Sequence, residues 1–178
     1  MRSACVLVAV PLCLAAACSD KPASDADASA SIDTFTVDTS TSCEGQCRQT
    51  NLTAMFVNTR TLDSAYYGTT FDTQSLRIEA YRKAPQGCPT GGSQTPDYTL
   101  VLAEVAPAQP SSNTSPANIL DFKGDLLGGP LGLAAMMKQI DTAAWVPNTF
   151  VAVDVNLTFS SGTVTGHIYA THCATLDN

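Results

Sequence analysis

The residues of this 178-residue chain best placed to do chemistry lie near its C-terminus. Asp154, Asn156, His167, Tyr169 and Thr171 form a polar patch within residues 150–173, "FVAVDVNLTFSSGTVTGHIYATHC". A carboxylate beside an imidazole is an acid–base pair, and a neighbouring phenol can share its proton traffic. Two strands must bring these groups together. Val151, Val153, Val155, Leu157 and Phe159 alternate with polar residues, and so do Val164, Gly166, Ile168 and Ala170. A two-residue loop at Ser161-Gly162 pairs Phe159 with Val164 and Leu157 with Gly166, which puts both apolar sets on one face. That register sets Asn156 opposite His167 and Asp154 opposite Tyr169, with Asp154 and His167 as diagonal neighbours. A hydrolase using Asp154 and His167 is the catalytic reading. The solvated outer face of a half-buried sheet explains the same pattern without chemistry, and it is the expectation.

Other chemistry is thinly represented. His172 lies five residues from His167, so the two histidines point to opposite faces of one strand and cannot share a metal. No "HExxH", "GxSxG" or P-loop lysine motif occurs, and Gly128-Gly129 is not followed by Lys-Ser/Thr. Asp25-Ala26-Asp27 lacks the remaining ligands of a calcium loop. No catalytic residue, metal or cofactor is therefore expected. Tyr66, Tyr67, Tyr81, Tyr98 and Trp145 could build a sugar-stacking platform, but scattered tyrosines and a single tryptophan more often pack cores and edges. Met136 and Met137 likewise read as core.

The first residues explain where such a domain is sent. Arg2, the apolar run 4–14 and the small residues Ala15-Ala16-Ala17 form a segment too short to span a bilayer, which needs about 20 residues. It reads as a secretory signal over residues 1–17. "LAAAC" at 14–18 resembles the end of a bacterial lipoprotein signal, with Ala15 where that family more often has Leu. The resemblance implies lipidation of Cys18, and Ser19 rather than Asp at the next position implies the outer membrane. Several acyl chains make a stable anchor, since each buried methylene adds about 0.8 kcal/mol. Residues 19–42 are Ser-, Ala-, Thr- and Asp-rich with only Lys21 as a base. They read as a disordered tether spanning about 25–30 Å, with 32–37 as a possible edge strand.

The chain is acidic, with a formal net charge of −7. Loss of Arg2 with the signal leaves eight basic against 16 acidic residues. Phosphate backbones repel such a chain, so nucleic acid is excluded as a partner. An envelope protein or a glycan remains. Four cysteines follow Cys18: Cys43, Cys47, Cys88 and Cys173. An even number in an exported chain implies disulfides. Three pairings are open, and Cys43–Cys47 with Cys88–Cys173 is favoured. Zinc is disfavoured, because the spacing lacks paired close ligands.

Residues 43–178 read as one domain, mostly strands with Gly/Pro/Asn/Ser punctuation. Strands are predicted over 52–58, 66–71, 76–83, 98–105, 119–123, 150–159 and 163–173. The pattern predicts an all-β fold, an antiparallel sandwich or flattened barrel, with at most one short helix near 131–140. "LGLAAMMKQI" at 131–140 is helix-forming yet short and apolar, and periodicity cannot separate a helix from a buried strand there.

Three stretches, "CPTGGSQTPDYTLVL" at 88–102, "ILDFKGDLLG" at 119–128 and "GTVTGHIYATHCATLD" at 162–177, resemble a recurrent group of lipoproteins of predatory and soil δ-proteobacteria. They cover well under half of the mature chain. The resemblance implies the same address, a shared all-β fold and a strand at 131–140. It transfers no catalytic residue. The expected function is a membrane-anchored binding or structural module, with a carbohydrate-binding surface domain as the alternative.

Overall fold

The computed structural model describes residues 41–70, 75–109 and 111–178. The signal, Cys18 and most of the tether lie outside the described residues. The body is all-β. Its strands are β1 (Asn51–Met55), β2 (Thr59–Leu62), β3 (Ser64–Thr69), β4 (Leu76–Arg82), β5 (Tyr98–Val105), β6 (Ser111–Ser112), β7 (Ala117–Asp121), β8 (Leu131–Ala134), β9 (Met137–Val146), β10 (Phe150–Thr158) and β11 (Thr163–His172). They form a single, strongly curled sheet, a half-barrel, in the order β6-β9-β10-β11-β3-β4-β5-β7-β8. β1 lies against the first half of β11, and β2 against β1. The pairing is not wholly antiparallel: β11 and β3 run parallel at Thr171–Tyr66 and His172–Tyr67.

Residues 131–140 are strand, split between β8 and β9. β8 pairs with β7, and β9 with β10. The chain changes partner at the corner, where Ala135 N donates to Ala117 O and Met136 N to Thr158 O. Ladder hydrogen bonds on both sides outweigh a helix preference worth a few tenths of a kcal/mol per residue. The corner projects past the end of β10, so Met136 and Met137 are exposed (63% and 65%) rather than in the core as expected. β6–β7 and β8–β9 share one register: extending the Asn118–Ala134 ladder arrives at Ser111–Asp141. They are the arms of one long bent hairpin. β2 and residues 141–146 of β9 went unpredicted, since "TRTL" and "DTAAWV" carry little alternation.

The β10–β11 hairpin keeps its predicted faces but not its register. Phe159 N donates to Gly162 O, so the turn is Ser160-Ser161, one residue earlier than expected. One residue in the turn moves the register by two, which preserves which side chains face inward. Gly162 is not needed for the turn. A Cβ there would sit 2.1 Å from Met55 O, so the glycine lets the neighbouring chain approach.

The concave side holds the core. Leu52, Leu62, Tyr67, Ile78, Leu100, Leu102, Ile119, Val153, Leu157, Val164 and Ile168 are fully buried. Both expected disulfides are present, Cys43–Cys47 and Cys88–Cys173. The second ties the proline-rich connection between β4 and β5 to the chain end. Asp121 is 2% exposed and accepts from three backbone amides: Gly124 N at 2.6 Å, Leu126 N at 2.8 Å and Leu127 N at 2.8 Å. This carboxylate replaces the missing ladder bonds of the bend between β7 and β8.

Candidate functional site

The outer face of β9, β10, β11 and β1 is crossed by the short loop that the Cys43–Cys47 disulfide closes. Gly45, at φ 60°, opens a one-turn 3-10 helix, Gly45–Arg48. Such a conformation suits glycine, which has no Cβ to clash. Arg48 Nε donates to Cys43 O at 2.7 Å and closes the loop a second time. Cys43 is buried with Ala144, Phe150 and Ala152, and Cys47, Val146 and Tyr169 pack against them. Tyr169 stacks on Phe150 with ring centroids 5.2 Å apart. This satellite cluster explains why Ala152, predicted to face outward, is fully buried.

Two further contacts pin the loop to the sheet. Thr50 Oγ1 donates to Tyr169 O at 2.9 Å and accepts from Tyr169 N at 3.0 Å. His167 lies directly opposite Asp154, not opposite Asn156. Its Nδ1 is 2.7 Å from Asp154 Oδ1, and its Nε2 is 2.9 Å from Cys47 O. A carbonyl oxygen can only accept, so Nε2 carries hydrogen and donates to the loop. Gly166, at φ 132°, permits the approach of β1 beside this pair. A Cβ there would lie 2.2 Å from Asn51 O.

The loop divides the outer face into two clefts. One, about 670 Å³, is lined by Gln46, Gln49, Asn51, Asp154 and His167. The other, about 440 Å³, is lined by Arg48, Gln49, Asp63, Ser64, Tyr66, Tyr169 and Thr171. The predicted patch is thus split. Asp154 and His167 meet in the first cleft. Asn156 stands opposite Thr165, one residue pair away from them. Tyr169 stands opposite Ala152 and, with Thr171, lines the second cleft. Tyr66 was read only as an aromatic, while Gln46, Arg48, Gln49 and Asp63 escaped sequence reading. Their only signal was the four-residue spacing of Cys43 and Cys47, which marks a tight loop but not where it lands.

The five aromatics form no platform, and four of them pack as core and edge residues, as expected. Tyr67, Tyr81 and Tyr98 are buried, and Trp145 is partly buried against the core. Burial holds all three tyrosine hydroxyls above their ordinary value. A hydrogen bond to Glu79 adds to this at Tyr81, and one to Asp125 at Tyr98. Tyr66 alone of the five lines a cleft on this face.

A third groove, about 330 Å³, lies between the proline-rich connection and the outer face of β4 and β5. Its charges satisfy one another: Arg77 Nε donates to Glu79 Oε1 at 2.6 Å, and the Tyr81 hydroxyl donates to Glu79 Oε2. Among the described residues no group of three or more His, Cys, Asp or Glu side chains is placed to hold a metal ion. Compared with known proteins, the chain matches no family model, no curated protein and no solved structure.

Proposed function

We propose that this protein is a binding module of the cell envelope, lipid-anchored through Cys18 at the outer membrane, that holds its ligand on the loop-crossed outer face and does no catalysis. The observation that carries this reading is the division of labour on that face. His167 has both ring nitrogens engaged, one with Asp154 and one with the Cys47 carbonyl. A general base needs a free lone pair aimed at substrate, and this ring instead fixes a loop. The polar side chains of Gln46, Gln49, Tyr66 and Thr171 beside it have no hydrogen-bond partner among the described residues. Rigid walls with uncommitted polar groups are what a binding site requires. The hydrolase reading would need the His167–Cys47 contact to open.

Two experiments test this. The intact mass of the membrane-extracted protein should show a lipid-sized increment on a chain beginning at Cys18, absent in Cys18→Ser. An unmodified chain would overturn the anchor. A thermal-shift panel of neutral and acidic oligosaccharides, peptidoglycan fragments and short peptides should raise the melting temperature for at least one class, and Gln49→Ala should abolish that rise. A panel without any shift would overturn the binding reading.

A further inference from the structure

The second cleft differs from the first in charge. Arg48 spends only Nε, on the Cys43 carbonyl. Its two terminal nitrogens have no partner among the described residues, and none of the ion pairs there includes Arg48. Asp63 in the same cleft is already neutralised by Arg82, at 2.8 Å. One uncompensated guanidinium therefore remains, in a chain whose net charge is −7. Around it stand hydroxyls and an amide with no partner among the described residues: Ser64, Tyr66, Tyr169 and Thr171 with Gln49. Guanidinium donors are fixed in a plane and match a carboxylate in paired fashion. Tyrosine rings offer an apolar surface with a polar tip, which suits the face and edge of a pyranose.

We propose, resting on the binding reading above, that this cleft takes a carboxylate-bearing saccharide, with Arg48 on the carboxylate, Tyr66 and Tyr169 against the sugar ring, and Gln49, Ser64 and Thr171 on its hydroxyls. The acidity of the rest of the chain does not forbid this. At physiological ionic strength charges beyond about 8 Å are largely screened, whereas a pair partly buried beneath a bound ligand is screened less. The disulfide has a part in it too. By closing the loop it places the Cys43 carbonyl where Arg48 can be anchored, so the guanidinium is oriented before ligand arrives and less side-chain freedom is lost on binding.

The test is isothermal titration calorimetry of the whole membrane-extracted protein with trigalacturonic acid and with its methyl ester. Esterification removes the charge and leaves the rings unchanged. The acid should bind and the ester should bind about tenfold more weakly or worse, the worth of one charge-assisted contact. Arg48→Gln should lower affinity for the acid by the same factor, with only a small fall in melting temperature from loss of the bond to the Cys43 carbonyl. Arg48→Lys should recover only part of it. Gln86→Ala, on the exposed connection between β4 and β5 and outside both clefts, should leave it unchanged. Equal binding of acid and ester, or full binding by Arg48→Gln, overturns the acidic class. If every carboxylate-bearing saccharide is inert while a neutral oligosaccharide or a peptide of the panel binds, the class falls and the binding reading stands. If nothing in the panel binds, both fall.

Discussion

The two disulfides should differ sharply in what they contribute to stability. Cys43–Cys47 spans a sequence separation of 4, and Cys88–Cys173 one of 85. A cross-link stabilises mainly by removing chain entropy from the unfolded state, and the effect grows with loop length. The loop-entropy relation gives about 2 kcal/mol for the short loop and about 4.6 kcal/mol for the long one. Both pairs include a buried sulfur, at Cys43 and at Cys173, so the cost of replacing it is similar and cancels in the comparison. The perturbation is a pair of double variants, Cys43→Ala/Cys47→Ala and Cys88→Ala/Cys173→Ala. Trp145 is the single tryptophan and packs against the core, so its fluorescence reports unfolding. Urea titrations should place the second variant about 2–3 kcal/mol below the first. The long-loop variant should melt about 10–20 °C below the parent. The short-loop variant should instead keep most of its stability and lose ligand binding, because its loop carries Arg48. Equal losses, or a larger loss for the short loop, would refute the reasoning.

Asp121→Ala strands one buried and two half-buried amides and should cost about 2–4 kcal/mol in urea unfolding, whereas Asp121→Asn, keeping one acceptor, should cost less. Gly162→Ala forces a methyl onto the Met55 carbonyl and should cost about 1–3 kcal/mol by the same measurement; a neutral result would show that β1 can retreat. Stability should fall at alkaline pH. Tyr67, Tyr81 and Tyr98 are held neutral in the fold while their unfolded counterparts ionise near pH 10, so their contribution is complete below about 10 and is lost above it. At the acid end, Asp125 is held below the usual carboxylate range by hydrogen bonds from Tyr98 and Lys123. Asp177 is held low by the Thr69 amide and by His172. Their contribution is present above about pH 4 and drains away as pH falls through their folded values. Urea midpoints measured from pH 2 to 11 check both limbs.

Much of the architecture could be read from alternation. Val151, Val153, Val155 and Leu157 are buried, and so are Val164, Ile168 and Ala170, as period two requires. The address of each strand was harder. At Leu131–Ala134 the local preference is helical, and only pairing with β7 decides the outcome. Gly162 looked like a turn residue because glycine usually serves there; its actual role depends on a strand more than 100 residues away. The same limit applied to the candidate site. Strand pairing brought Asp154 to His167, and the sequence showed that they would be close. That a loop from residues 43–50 would cover one part of the patch and separate Tyr169 from it follows from tertiary placement, which no local pattern encodes. Arg48 was invisible for this reason: beside Cys47 it is one charged residue in a polar segment, and only the Cys43 carbonyl and the floor of β11 give it a task.

Among the described residues β1 is the first strand and β11 the last, and they lie side by side. The partners of Thr50 are 119 residues away and that of the Cys47 carbonyl is 120 residues away. A chain that emerges N-terminus first cannot assemble this face until β11 has emerged. Until then β1 has no neighbour but β2, and an isolated two-stranded hairpin is marginal in water. Closure of this face therefore waits for β11, and the Cys88–Cys173 bond for residue 173. A chain cut short before residue 163 would be left as an open sheet with β1 paired only to β2.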